Sequence, residues 1–252
     1  MKIKRIDEMQ KYILQNTSVT IDKLCEEFGV SKNTIRRDID ELCASGIIKK
    51  VYGGVTAIVK APTSFEERGN ENSDQKHRIG KAAAKLVKKD DSIFIDSGTT
   101  TFQMVPYLSE CGGINVFTNN IKAVFAAYPI ESIHLYSLPG TLNRKTNSLM
   151  GADTTKAIEK YNINKAFLAS TGLTFESGVT NSEQMEYDIK RAVIEKSTKT
   201  YLLIDSTKFG KVSLITFASI GDFDAVITDK MPAQEYVDLL KENNVELIIA
   251  DE

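Results

Sequence analysis

Residues 20–45 read Thr-Ile-Asp-Lys-Leu-Cys-Glu-Glu-Phe-Gly-Val-Ser-Lys-Asn-Thr-Ile-Arg-Arg-Asp-Ile-Asp-Glu-Leu-Cys-Ala-Ser. Ile21, Leu24, Cys25 and Phe28 recur at helical spacing, Gly29 supplies a positive-φ stop, and Ser31 offers a hydroxyl to cap a new helix. The pattern predicts helix, tight turn, helix. In the second helix Ile35, Ile39, Leu42 and Cys43 form one stripe, which turns Asn33, Arg37 and Asp40 roughly to the opposite side with Arg36 on the flank. Base edges in a major groove are read from the N-terminal half of such a helix while its stripe rests on the helix before it; arginine pairs bidentately with guanine, asparagine with adenine. A plain helical hairpin with solvated arginines carries the same two-helix pattern, so the flanking sequence decides.

Upstream, Ile6, Met9, Ile13 and Leu14 give a third helix, from about Ile6 to Leu14, on which the hairpin can bury its stripes. Downstream, residues 46–55 read as two short strands around a basic turn, the wing of a winged helix-turn-helix. The expected DNA-binding residues are Thr20, Ser31, Lys32, Asn33, Thr34, Arg36 and Arg37 from the hairpin, with Lys49, Lys50 and Tyr52 from the wing. Arg37 is placed for a base contact and Arg36 for a phosphate or packing contact, while the wing lysines position the protein without reading sequence.

At 252 residues and 42% hydrophobic, the chain is long enough for this small domain and a larger one with its own core. No apolar run reaches membrane-span length, and Met1-Lys2-Ile3-Lys4-Arg5 leads into an amphipathic segment instead of a signal-peptide core, so a soluble cytoplasmic protein is expected. Three cysteines without a pairing motif and two histidines predict no disulfide, no metal site and no cofactor. The net charge of −2 hides an asymmetry: residues 1–60 hold 11 Lys+Arg against 8 Asp+Glu, leaving the remainder acidic. The weakly basic part is the part with the reading helix, as phosphate neutralisation favours.

The expected organisation is a winged helix-turn-helix over residues 1–57, a polar linker over 58–73 with Pro62 and Gly69, and an α/β domain over 74–252 that opens on a helix capped by Asp74. Short apolar runs at 93–95, 114–117, 133–136, 166–169, 201–204, 225–227 and 247–249 alternate with helical patterns at 99–108, 121–127, 183–196 and 234–242. Runs this apolar predict strands covered on both faces, hence a mostly parallel sheet. In such sheets ligands sit beyond the C-terminal strand ends. The residues there are polar: Asp96, Gly98, Thr99 and Thr100; Thr118, Asn119 and Asn120; Gly140 with Arg144; Gly172; and Lys208. Gly98 admits close backbone approach, and free N–H groups with threonine hydroxyls suit a phosphate. Glu183, Glu186 and Lys190 share one predicted helix, at spacings that serve ordinary i,i+4 support or face the pocket; Glu183 and Lys190 complete the effector-binding set. Each loop taken singly also reads as a cap or a turn.

With these residues laid out, the chain resembles the DeoR family of bacterial transcriptional regulators over nearly its full length. The resemblance rests on Thr34-Ile35-Arg36-Arg37-Asp38-Ile39, Tyr52-Gly53-Gly54-Val55, Asp96-Ser97-Gly98-Thr99-Thr100, Thr118-Asn119-Asn120, Glu186-Tyr187-Asp188-Ile189-Lys190-Arg191 and Ser206-Thr207-Lys208-Phe209-Gly210. It departs at Pro139-Gly140, where the family commonly has a Gly-Gly pair. The resemblance implies a sensor domain similar to sugar-phosphate isomerases, and a repressor of a sugar or polyol catabolic operon that a phosphorylated sugar relieves. The implied partners are double-stranded operator DNA, that effector and further copies of the chain, as a homo-oligomer (dimer or tetramer), with no membrane. The alternative is a sugar-phosphate isomerase-like enzyme with an accessory DNA-binding domain, using Asp96 or Glu183 as base beside Lys190 or Lys208. The reading helix, which an isomerase does not need, and the lack of a nucleophile–base signature argue for a regulator and against an enzyme.

Overall fold

The computed structural model describes residues 2–16, 18–44, 48–51, 53–57 and 64–251. The chain divides into two compact units, Met1–Pro62 and Thr63–Glu252.

In the first unit, α1 (Lys2–Asn16), β1 (Ser18–Thr20), α2 (Ile21–Phe28) and α3 (Lys32–Ala44) precede the hairpin β2 (Ile48–Val51) and β3 (Gly54–Ala57). Ile6, Met9 and Ile13 of α1 close over Leu24, Ile35, Ile39 and Leu42, so the three helical stripes share one core. Gly29 ends α2 at φ 62°, its N–H donating to the Cys25 carbonyl, and the Ser31 hydroxyl accepts from Thr34 N–H at 3.4 Å to start α3. The sheet order is β1-β3-β2, which adds a strand that residues 18–20 are too short to reveal by alternation. Gly54 makes that strand possible, since a Cβ there would lie 2.3 Å from the Val19 carbonyl oxygen. Lys49 and Lys50, expected in a basic turn, lie within β2; Gly53, ahead of β3, takes φ 78°. Tyr52 lies outside the described residues.

The second unit opens with α4 (Phe65–Asn70) and α5 (Ser73–Ala84). Over 64–70 the stretch expected as linker is thus a capped helix: Ser64 Oγ accepts from Glu67 N–H, and the Glu67 carboxylate accepts in return from Ser64 N–H. Asn72, at φ 54°, holds the cap position expected for Asp74. Then follow β4 (Ser92–Ile95), α6 (Thr99–Phe102), β5 (Ile114–Thr118), α7 (Ile121–Ala127), β6 (Ile133–Ser137), β7 (Thr141–Asn143), β8 (Ser148–Met150), α8 (Ala152–Ile158), β9 (Ile163–Ala169), β10 (Gly172–Thr174) and β11 (Gly178–Asn181). The chain closes with α9 (Met185–Lys196), β12 (Ser197–Leu203), β13 (Ile215–Ala218), β14 (Ala225–Thr228), α10 (Gln234–Glu242) and β15 (Glu246–Ile249). The helix expected over 99–108 stops at Phe102 and resumes as a 3-10 segment at Val105–Glu110, where Pro106 has no N–H to continue an α ladder.

Seven strands form one sheet in the order β15-β14-β12-β9-β4-β5-β6, parallel throughout. Alternate residues of the central strands face opposite cores. Ile93 and Ile95 pack with α5, α7 and the 3-10 segment, whereas Phe94 packs with the side holding α8, α9 and α10. That double coverage is why the strands read as unbroken apolar runs. The chain leaves β4 to build β5 and β6 on one side, then crosses to β9 on the other, so the connections diverge between the C-terminal ends of β4 and β9. A small antiparallel sheet (β10-β11-β13) and the β7–β8 hairpin complete the unit.

Candidate functional site

On the first unit, Thr20, Ser31, Lys32, Asn33, Arg36, Arg37, Lys49 and Lys50 are exposed and Thr34 is half-buried. Two of these residues are chiefly architectural: Thr20 caps α2 by accepting from Lys23 N–H at 3.2 Å, and Ser31 caps α3. Lys32 pairs with Asp22 at 2.5 Å and Lys50 with Asp40, exposed contacts that water and salt weaken. Arg36 and Arg37 are in no ion pair among the described residues. Behind them Asp38, 1% exposed, accepts from Arg5 at 2.8 Å, which ties the reading helix to α1. The helical stripe places Asp38 next to Ile39, and that placement was the available signal for a buried carboxylate. What results is a helix tied to its neighbour that presents two exposed guanidinium groups, an arrangement compatible with groove contact.

In the second unit a buried polar network occupies the divergence between β4 and β9. Asp96 accepts through Oδ2 from Lys190 Nζ at 2.5 Å and from Ala169 N–H at 3.0 Å, and Lys190 also donates to the Ala169 carbonyl at 2.9 Å. Glu186, one helical turn before Lys190, accepts from Ser97 Oγ at 2.9 Å and from the Asn181 amide. Burial, with Asp96 as a like charge, pushes the Glu186 carboxyl upward from its ordinary range, while Lys190 opposes the shift. Glu183 is different from expectation: it precedes α9, is half-buried and enters this network only as the carbonyl acceptor of Glu186 N–H. Glu186 is the buried carboxylate.

The neighbouring strand ends hold the other expected residues. Thr99 and Thr100 are buried in α6, which is only one turn long, and Gly98 is required by packing, because a Cβ would stand 2.4 Å from that of Ala169. Thr118 donates to the Ile95 carbonyl, and Asn120 caps α7 by accepting from Lys122 and Ala123 N–H. Gly172 admits the Lys211 carbonyl, 2.1 Å from where a Cβ would be. Gly140 (φ 148°) is exposed beside Met150, and Arg144 is exposed on the β7–β8 turn. Lys208 is partly buried, its Nζ 4.0 Å from Asp205 Oδ2.

Among the described residues, the buried side-chain polar atoms lacking a hydrogen bond are Asn119 Oδ1, Asn120 Nδ2, Ser170 Oγ, Asp205 Oδ2, Thr228 Oγ1, and Nε and Nη2 of Arg68. Except for Arg68 they lie at or just beyond the C-terminal ends of β5, β9, β12 and β14. Proteins rarely leave such groups unsatisfied, and clustering at one edge of a sheet suits a polar ligand. Arg68 is absent from the sequence expectation because 58–73 reads as linker, and the Ser64-x-x-Glu67 capping box was the signal that a helix begins there; Lys76 falls on the helix expected from Asp74, where a lysine reads as solvent-facing. No group of three or more metal-ligating side chains gathers among the described residues.

A family model described as the DeoR C terminal sensor domain matches residues 71–230, and one described as a DeoR-like helix-turn-helix domain matches residues 5–61. The chain is 41% identical to the HTH-type transcriptional regulator IolR of Bacillus subtilis, covering 99% of this chain and 100% of the relative. It is 27% identical to the glycerol-3-phosphate regulon repressor of Escherichia coli, over 93% of this chain and 94% of the relative, and 29% identical to the lactose phosphotransferase system repressor of Streptococcus mutans, over 90% and 92%. Among solved structures it is similar to ribose 5-phosphate isomerase A from Methanocaldococcus jannaschii, at 18% identity and TM-score 0.40 over 55% of each chain. A helix-turn-helix unit with exposed guanidinium groups, joined in one chain to a parallel-sheet unit, each matched by its family model, leaves one assignment: the chain belongs to the DeoR family of DNA-binding transcriptional regulators and is not an enzyme.

Proposed function

We propose that this regulator represses a sugar or polyol catabolic operon and leaves its operator when a phosphorylated sugar binds the sensor unit. The observation that carries the reading is the coexistence of Arg36 and Arg37 on α3, exposed and in no ion pair among the described residues, with unsatisfied polar groups at the C-terminal ends of four strands of the sensor sheet. The names of the Escherichia coli and Streptococcus mutans relatives, which refer to a sugar-alcohol phosphate and a sugar phosphotransferase system, support it. In this mechanism Arg37 contacts a base, and Arg36, Lys49 and Lys50 contact phosphates. The protein works in the cytoplasm as a dimer or tetramer, because one small reader binds weakly and paired half-sites multiply its affinity. The effector acts by binding more tightly to the arrangement that misaligns the readers; a ligand of equal affinity for both arrangements would shift nothing.

The test is a gel shift on the DNA upstream of the gene, titrated with a panel of phosphorylated sugars and polyols. Release by one of them and not by its unphosphorylated parent is the expected result. Release by none of the phosphorylated compounds, or only by free sugars, would overturn the effector assignment. Arg37→Ala is expected to lower operator affinity by about 1–3 kcal/mol and relax selectivity at one base position, whereas Arg36→Ala should weaken all sequences alike and flatten the salt dependence. Equal behaviour of the two variants would refute the division of labour on α3.

A further inference from the structure

Asn33, Arg36, Arg37 and Asp40 fall at i, i+3, i+4 and i+7 on α3, the spacing of one helical face, and all four are exposed. Ile35, Ile39 and Leu42 hold the opposite side, buried in the core of the first unit. The face that carries the two guanidinium groups therefore also carries a carboxylate, one turn beyond them. Asp40 differs in kind from Asp38, which is 1% exposed and accepts from Arg5. The Asp40 side chain is 59% exposed, and its ion-pair partner is Lys50 of β2, on the wing, which is itself 61% exposed. A pair this wet contributes little to stability, so folding gives no reason for a negative charge on a surface that meets phosphates. A group that weakens binding to DNA in general is useful where it weakens the wrong sequences more.

The chemistry of the groove supplies that difference. An ionised carboxylate accepts hydrogen bonds and donates none. Guanine shows the major groove N7 and O6, and thymine O4, all acceptors; cytosine shows the N4 amino group, a donor, whereas adenine sets its N6 donor beside the N7 acceptor. Facing guanine or thymine, Asp40 would lose water against like-signed lone pairs. Facing cytosine, it gains a charge-assisted hydrogen bond.

We propose that Asp40 is a specificity-determining residue of α3, which accepts from a cytosine amino group in the operator and penalises registers that offer it an acceptor, with Lys50 of the wing as the positioning residue that holds the carboxylate. This rests on the reading of α3 given above and adds a cytosine to the base contact assigned to Arg37. An ammonium has three N–H groups, so Lys50 keeps its hold on Asp40 while another N–H reaches a phosphate. The wing and the reading helix then act on the same edge of the groove.

The experiment uses the full-length protein and a library of the DNA upstream of the gene, randomised across the segment that the protein protects from nuclease, with the bound and free fractions sequenced. Wild-type protein is expected to select cytosine at one position by roughly ten- to hundredfold. Asp40→Asn should lose that selection or exchange it for adenine, which asparagine pairs bidentately. It should also bind unrelated DNA more tightly, with a logarithmic salt slope steeper by about one. Because Asp40 is exposed, its replacement should leave thermal melting unchanged. Lys50→Met should blunt the cytosine preference and lower affinity for every sequence, and Lys50→Arg should restore both. Unaltered base preferences in Asp40→Asn, while Arg37→Ala relaxes one position, would overturn the inference and leave the reading of α3 standing. No altered position in either variant would overturn both.

Discussion

Replacing Lys190 by Met tests how the sensor's polar centre is held. Methionine keeps the length and packing of the side chain but removes the ammonium that donates to Asp96 Oδ2 at 2.5 Å and to the Ala169 carbonyl at 2.9 Å. Asp96 keeps only the Ala169 N–H, and Glu186 keeps Ser97 and Asn181, so two carboxylates remain buried with their cation gone. Breaking one side of a buried pair costs about 3–5 kcal/mol, and here the protein has an escape. Burial and Asp96 already raise the Glu186 carboxyl, and removing the opposing lysine raises it further. A carboxyl whose folded pKa lies above its unfolded value binds more protons in the folded state. Its contribution is therefore fully present below the unfolded pKa and lost as pH rises through the folded one. The destabilisation should reach about 3 kcal/mol at neutral pH and shrink to about 1–2 kcal/mol near pH 5. Urea unfolding by circular dichroism at the two pH values measures it, and amide exchange in β4 and β9 assigns the loss to the sensor. A loss below about 1 kcal/mol at neutral pH, or one of equal size at both, would refute the reasoning.

Gly98→Ala should destabilise the sensor by about 1–3 kcal/mol through the 2.4 Å approach to Ala169 Cβ, and Ala169→Gly in the same chain should restore much of it; thermal melting checks both. Gly54→Ala should part β1 from β3, seen as faster exchange of the β1 and β3 amides and weaker operator binding with the sensor melt unchanged. Ser31→Ala, which removes the acceptor for Thr34 N–H, should cost the reading unit about 1 kcal/mol in chemical unfolding.

The reading unit was legible because its signals are local: stripes spaced at three and four residues, Gly29 at a left-handed stop and a serine cap all act within a few residues of themselves. The parallel sheet was legible for a related reason, since strands such as Ile93-Phe94-Ile95 show on both faces the same apolar character. What escaped was short or long-range. The strand at Ser18–Thr20 exists through its partner Val55, the β7–β8 hairpin and the β10-β11-β13 sheet are built from three- and four-residue pieces, and α8 has seven residues. Glu183 and Glu186 are indistinguishable by spacing alone, and the start of α9 at Met185 separates them. Arg68 and Lys76 escaped because a polar segment reads as solvent-facing until the distant residues that cover it, Asp205 and Thr207 among them, are in place.

The pairing of β4 with β9 also determines when the buried polar network of this unit can form during folding. Asp96 meets Ala169 across 73 residues and Lys190 across 94, separations at which loop closure is entropically costly and slow. Strands β4, β5 and β6 follow one another closely and can assemble early, but the polar centre draws on both sides of that seam. A nascent chain that has made only the first half therefore holds Asp96 and Ser97 without their partners Lys190 and Glu186. The network therefore comes together only with closure of the sheet's middle, and a half-folded unit has no partial version of it.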